Sequence, residues 1–197
     1  MRFCGIAIAA TACLLGMASS AHAWDNERRG FVLGSGLGTG VTSFRQEVES
    51  GGQSVTSDTE NQAGLMTDFK IGYAWSDQWL LCYNSGTSWF AMRNALGDKV
   101  TISSDVNGLC LMHYFQPTAP SWFLSGTVGF SGWDAPFEEG SDAWIGAGLA
   151  VGGGYEFSPH WYVQGDLLFG NPSEEDSGTK FTTTATTLRV TINVMGY

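Results

Sequence analysis

The sequence predicts an all-β fold, an eight-stranded antiparallel up-and-down transmembrane β-barrel, and three observations carry that expectation. Eight segments place apolar side chains at every second position, the period of a strand and not of a helix. Three tight turns are collared by aromatic residues: Trp75-Ser-Asp-Gln-Trp79, Tyr114-Phe115 through Trp122, and Phe157-Ser-Pro-His-Trp161. The excursions between these turns are longer, polar and mostly acidic. Short turns with aromatic collars at one end and long loops at the other fit a barrel whose rings settle at headgroup depth.

The first 23 residues read as a secretory leader. Arg2 supplies a minimal positive region, Phe3 to Met17 is apolar, and Ala21-His22-Ala23 is a small-x-small cleavage pattern. Residues 1–23 are therefore expected to be a cleaved signal peptide, leaving 24–197 as one barrel domain of 174 residues. The apolar run is short for a membrane anchor, and Ala10-Thr11-Ala12-Cys13 lacks the large aliphatic residue that lipidation at Cys13 would need. All 19 acidic residues and eight of the nine basic ones follow residue 23, giving a mature formal charge of −11. Such a balance argues against nucleic acid as a partner. The acids gather in the excursions: Glu47, Glu49, Asp58 and Glu60, then Asp98, then Asp134, Glu138, Glu139 and Asp142, then Glu174, Glu175 and Asp176.

Strand one, about Phe31 to Val48, sets Phe31, Leu33, Leu37 and Val41 against Gly34, Gly36, Gly38 and Gly40. The Gly-x-Gly-x-x-Gly spacing within it has no β-α-β unit around it and is not read as a nucleotide fingerprint. Strand two, about Ala63 to Trp75, sets Leu65, Phe69, Ile71, Tyr73 and Trp75 against Asp68, Lys70, Gly72 and Ala74. Glycine and paired charges belong in a narrow eight-strand lumen, so the aromatic face is taken as the lipid face. A soluble exported lipocalin-like barrel would reverse that polarity.

Strands three (Trp79 to about Phe90) and four (about Val100 to Phe115) pair where residue numbers sum to about 192, which brings Cys82 opposite Cys110 on the inner face. Two readings stay open for them, a disulfide in an oxidising compartment or two buried thiols among glycines. In the same register Ser85, Thr87, Asp105 and Asn107 face outward, which requires a bulge or early emergence from the membrane. Strand five, Trp122 to about Trp133, sets Trp122, Leu124, Val128 and Phe130 against Ser125, Thr127, Gly129 and Ser131. Strand six, about Ala143 to Phe157, sets Ile145, Leu149, Val151 and Tyr155 against small residues and Glu156. Strand seven, Trp161 to about Gly170, sets Val163, Leu167 and Phe169 against Gln164 and Asp166; strand eight, about Lys180 to the end, sets Leu188, Val190, Ile192 and Val194 against Arg189, Thr191 and Asn193. An even count returns both termini to the short-turn side, the periplasmic side in bacterial barrels.

With its strand count, loop asymmetry, the Gly-Leu-Ala-Val-Gly-Gly-Gly-Tyr-Glu-Phe segment ending at Phe157 and the closing Val194-Met195-Gly196-Tyr197, the mature chain resembles the small eight-stranded outer-membrane barrels of the OmpX, OmpA-transmembrane and opacity-protein type. The resemblance implies residence in the outer membrane of a Gram-negative bacterium, contact with outer-membrane lipid and lipopolysaccharide, and a C-terminal strand read by the barrel-assembly machinery. Tyr197 is out of phase with Leu188, Val190, Ile192 and Val194, so the terminus contains a bulge or the signal is weak.

The inward charges Asp68, Lys70, Glu156, Asp166 and Arg189 are expected to pair, Asp166 with Arg189 and Lys70 with Glu156, because buried charges are costly unless paired. A polar plug that fixes register is weighed above a conducting pathway. Trp75, Trp79, Trp122, Phe157 and Trp161 form the expected aromatic girdle. Small barrels that act as lipid A deacylases, palmitoyltransferases or proteases resemble histidine general-base catalysts; here His113 and His160 both fall at the short-turn end, so no enzyme, cofactor or metal site is expected. The function expected is structural or surface-interacting, through acidic extracellular loops toward an unnamed ligand. The alternative is an OmpW-like channel for small hydrophobic molecules, entered past Met66, Leu80, Phe123 and Trp144.

Overall fold

The computed structural model describes residues 27–93, 97–138 and 142–197. The expected leader, Cys13 and Glu139 lie outside these residues. The chain forms β1 (Gly30–Ser50), β2 (Gln53–Thr56), β3 (Glu60–Ser76), β4 (Trp79–Arg93), β5 (Lys99–Tyr114), β6 (Ser121–Asp134), β7 (Trp144–Ser158), β8 (Trp161–Asp176) and β9 (Thr179–Gly196). Every neighbouring pair is antiparallel, and β1 pairs with β9 from Leu33 opposite Gly196 to Ser50 opposite Thr179, which closes the sheet. The barrel wall is thus eight strands, β1 and β3 through β9, with no open edge in the membrane span, as lipid demands of spanning strands.

The sequence reading does not include β2. It is a short return of the chain onto the top of β1, with Ser50 opposite Gln53 and Glu47 opposite Thr56. Gly51 and Gly52 make the turn at φ of 59° and 78°, the doubly left-handed geometry that favours glycine in tight hairpins.

Alternation sorts the faces as expected. Leu33, Leu37, Phe69, Tyr73, Leu109, Trp122, Val128, Leu149 and Ile192 are exposed on the outside. Every buried cation and carboxylate of the strands points inward.

Two expectations need correction, and in two others the bulge alternative falls away. The 192 register runs unbroken from Trp79 opposite His113 to Arg93 opposite Lys99, so no bulge relieves Ser85, Thr87, Asp105 and Asn107. Those four stay on the outer face, where the Asn107 side-chain amide donates to the Asp105 carboxylate and the Trp89 indole donates to Thr67 Oγ1 at 3.0 Å. Strand β8 does not stop near Gly170: pairing with β9 lapses at Asn171 and Pro172 and resumes with Ser173 opposite Thr182, so Glu174, Glu175 and Asp176 are strand residues. Glu47, Glu49 and Glu60 are likewise carried on strands that rise past the membrane span, not in loops. Finally, Tyr197 needs no bulge, because it continues the inward phase of Asn193 and Met195 and is buried.

Candidate functional site

The lumen is where the sequence invested its polar chemistry, and from the short-turn end upward it is layered. At the bottom Arg28, two residues before β1, reaches in beneath the strands and is buried. Its Nε donates to Glu156 Oε2 at 2.9 Å, its Nη2 contacts the same carboxylate, and its Nη1 donates to the carbonyls of Asp77 (2.9 Å) and Gln116 (2.7 Å). The guanidinium lies 4.1 Å over the Tyr114 ring, a cation–π position. Tyr197 Oη donates to the other Glu156 oxygen at 2.5 Å. Arg28, just before β1, and the C-terminal Tyr197 therefore meet at one carboxylate, and Arg28 ties the turns at Asp77 and Gln116 to it. Outside it Arg29 and Asp77 form an exposed pair at 2.8 Å, and the Arg29 guanidinium holds the Asp77 carboxyl below its usual range.

Above this seal lies an apolar layer including Val32, Leu80, Met112, Tyr114, Phe123, Tyr162 and Met195. Cys82 and Cys110 belong to it. They sit directly opposite one another across β4 and β5, both buried and unbridged.

The next layer is the charged network. Arg189 Nε donates to Asp166 Oδ2 at 2.9 Å and its Nη2 to Asp68 Oδ1 at 2.6 Å. Lys70 pairs with Asp68 and donates to Gln164 Oε1 at 3.1 Å, and Gln164 Nε2 donates to Asp166 Oδ1 at 2.7 Å. Two cations face two carboxylates, so the layer is neutral and each charge is paired, the condition on which buried ions are tolerated. A methyl group at Gly86 would lie 2.5 Å from Arg189 Nη1, so the β4 wall must be bare there for the guanidinium to fit.

Higher still, Thr42 Oγ1 lies 2.8 Å from Ser88 Oγ and 2.9 Å from Thr187 Oγ1. At the long-loop end Phe44, Phe90 and Trp133 close the bore, with ring centroids 5.8 Å (Phe44 to Phe90) and 4.8 Å (Phe44 to Trp133) apart, and Met92, Ile102 and Trp144 pack against them. Large aromatics thus do enter the lumen, because the glycine files on facing walls leave volume that a packed eight-strand interior must fill.

The structure brings together Asp68, Lys70, Asp166 and Arg189, with Asp166 and Arg189 in direct contact as expected. It separates Glu156 from Lys70: its cation is Arg28. That residue was legible by parity, since 28 shares the inward phase of Val32 and Gly34. Met66, Leu80, Phe123 and Trp144 all point inward but at different levels, Leu80 and Phe123 in the lower apolar layer and Trp144 at the aromatic one, so they do not form one entrance. Trp75, Trp79, Trp122, Phe157 and Trp161 lie exposed at the short-turn end, Trp75 and Trp79 stacked at 6.3 Å. His113 faces outward between Trp79 (4.2 Å) and Phe115 (5.4 Å); His160 is buried in its turn, Nδ1 2.9 Å from the Met195 carbonyl. Among the described residues no three His, Cys, Asp or Glu side chains gather as metal ligands.

A family model described as the outer membrane protein beta-barrel domain matches residues 9–193. No curated protein sequence gives a significant match. Among solved structures the chain is similar to Neisserial surface protein A, at 12% identity over 80% of this chain and 96% of that one with a TM-score of 0.46. It is also similar to the attachment invasion locus protein Ail of Yersinia pestis (11%, 84% and 99%, TM-score 0.36) and to the N-terminal barrel of Pseudomonas aeruginosa OprF (12%, 76% and 96%, TM-score 0.32).

Proposed function

Since the chain belongs to the outer membrane protein β-barrel domain family and resides in the outer membrane of a Gram-negative bacterium, we propose that it is a non-conducting barrel with a structural or surface-interaction role, its lumen plugged by its own side chains and its acidic rim turned toward the medium. The observation that carries this reading is the sequence of layers across the bore: the Arg28–Glu156–Tyr197 seal, the apolar layer, the neutral network on Arg189 and the aromatic layer at Phe44. A permeating ion would have to displace a paired buried charge, and a permeating hydrophobe would have to pass the same network.

The same reading leaves the barrel without catalysis. Both histidines of the described residues are at the short-turn end, His113 against Trp79 and His160 against Tyr197, away from the outer leaflet where acyl or peptide substrates of barrel enzymes would lie. The rim that would meet a surface ligand carries Glu47, Glu49, Glu174, Glu175 and Asp176 on the raised ends of β1 and β8, which favours a cationic partner. Assembly through the C-terminal strand is part of the proposal, with Val190, Ile192 and Val194 as its outward face.

Flux through liposomes tests it. Barrels reconstituted with correct heat-modifiable mobility should release entrapped ions and small apolar dyes no faster than protein-free vesicles. Release that scales with protein would overturn the plugged reading in favour of an OmpW-like channel for small hydrophobic molecules.

A further inference from the structure

Above the membrane span the wall does not end evenly. β1 and β9 stay paired up to Ser50 opposite Thr179, β8 and β9 up to Asp176 opposite Thr179, and β2 returns along the top of β1. Their neighbours drop out earlier: pairing of β1 with β3 stops at Phe44 opposite Glu60, and pairing of β7 with β8 at Ile145 opposite Ser173. What projects is a four-stranded sheet in the order β2-β1-β9-β8, with an open edge on each side.

The two edges differ. That of β8 carries Glu174, Glu175 and Asp176, and charge is one of the devices that keep an edge from recruiting strands. That of β2 reads Gln53-Ser-Val-Thr56, exposed throughout, with no charge and no proline. The direction of its free backbone groups follows from the ladder. Ser57 N–H donates to the Gln46 carbonyl at 2.8 Å, one step beyond Glu47 opposite Thr56. Hydrogen bonding alternates along an antiparallel pair, so Gln53, Val55 and Ser57 turn their backbone groups to β1. Ser54 and Thr56 each turn an N–H and a carbonyl outward.

Side chains sort by the same alternation. Ser54 and Thr56 share a face with Glu47 and Glu49, and the Ser54 hydroxyl contacts the Glu47 carboxylate. Val55 stands on the other face at 72% exposure, in a row with its cross-strand neighbours Val48 and Phe181, and Trp144 packs on Phe181 with ring centroids 5.9 Å apart. This apolar row lies in water above the bilayer, and its most exposed member is the one at the open edge. An added strand continues all three patterns at once. Opposite Ser54 and Thr56 it closes the free backbone groups, long basic side chains at those positions reach Glu47 and Glu49, and the residue between them covers Val55. A second copy of this chain fits poorly, because it would lay two acidic faces side by side.

We propose that β2 is a docking edge for an extended segment of a partner protein, taken up as a further antiparallel strand in which basic residues alternate with apolar ones. This rests on the surface-interaction role and not on the plugged lumen, so its failure would leave the flux result untouched and a leaking barrel would leave it standing.

The experiment titrates the full barrel in detergent against a dye-labelled peptide, Lys-Ile-Lys-Ile-Lys, and reads fluorescence anisotropy. Ser54→Pro/Thr56→Pro removes the two outward N–H groups and leaves Val55, the acids and the β1 ladder in place, since proline is tolerated on the free side of an edge strand. An edge hydrogen bond of ordinary strength is worth a factor of about five, so this variant should bind about 30-fold more weakly. Ser54→Ala/Thr56→Ala keeps both N–H groups and should match the wild type. Glu47→Gln/Glu49→Gln should weaken binding about fivefold, and added salt should erase that difference. Two probes test the wild type alone: a Lys-Lys-Lys-Ile-Ile peptide of the same composition, and the alternating peptide N-methylated at its lysine amides, both of which should bind at least about tenfold more weakly. No binding of the alternating peptide, equal binding of either control peptide, a proline variant equal to the wild type, or an alanine variant as weak as the proline one would each overturn the proposal. Wild-type self-association that the proline variant abolishes, seen by sedimentation, would overturn it in favour of a second copy. Gel mobility of unheated samples establishes that every variant is folded.

Discussion

Replacing Arg189 by methionine should unbalance the charged layer, and the size of the effect follows from its contacts. The guanidinium donates to Asp166 at 2.9 Å, to Asp68 at 2.6 Å and to the Thr67 carbonyl at 3.1 Å, and the three charged side chains are all essentially excluded from solvent. Its removal leaves Lys70 facing two carboxylates, a net buried charge of −1. Breaking a buried pair on one side costs about 3–5 kcal/mol, because the uncompensated ion remains out of water. The double variant Arg189→Met/Asp166→Asn restores neutrality around the Lys70–Asp68 pair. Since neutral replacements of buried ion pairs are often close to isoenergetic, it should recover most of the loss and lie within about 2 kcal/mol of the wild type. Equilibrium unfolding in urea of barrels folded into lipid vesicles, followed by tryptophan fluorescence and by the mobility of unheated samples, reads both numbers. A single variant within about 1 kcal/mol of the wild type, or a double variant no more stable than the single, would show that the layer is hydrated enough to make its charge balance irrelevant.

Gly86→Ala should destabilise by about 1–3 kcal/mol, an overpacking cost, and the effect should shrink in an Arg189→Met background, where the side chain that collides with the new methyl is gone; additive losses in the double variant would contradict the contact. Glu156→Gln should cost about 3–5 kcal/mol by stranding the Arg28 guanidinium, whereas Tyr197→Phe, which removes one hydrogen bond to the same carboxylate, should cost about 1–2 kcal/mol; the ranking is read from urea midpoints. Cys82 and Cys110 should resist a membrane-permeant alkylating reagent in the folded barrel and take up two labels after denaturation without reductant, by intact mass; labelling in the folded state would mean the lumen opens.

Much of the barrel could be read from the chain because a membrane strand has only one way to satisfy lipid and lumen at once. Period two then fixes each face, and the tight turns at 76–79 and 158–161 fix the registers around them. The Cys82–Cys110 pairing and the Asp166–Arg189 contact followed from that logic. What escaped it was information carried between strands distant in sequence. Inward phase alone pairs Lys70 with Glu156, but inward position says nothing about height, and the stagger of the strands places Glu156 a layer below. Arg28 precedes the first apolar residue of β1, so periodicity does not reach it, although its parity matches. Hairpin β1–β2 was announced by Gly51-Gly52 and hidden by the acids around it. The upper ends of β3 and β8 run on past the apolar pattern because backbone pairing continues after the bilayer stops demanding alternation.

The carboxylate of Glu156 has a consequence for how this barrel stays closed. A closed sheet made from one chain has one seam that no turn connects, here β1 against β9, held by the backbone ladder and by side-chain contacts such as Thr42 Oγ1 with Thr187 Oγ1 at 2.9 Å. Glu156, on β7, grips Arg28 just before that seam and Tyr197 just after it. The seam thus carries a clasp contributed by a strand that does not border it, and peeling β1 from β9 would require surrendering a buried ion pair as well as a ladder.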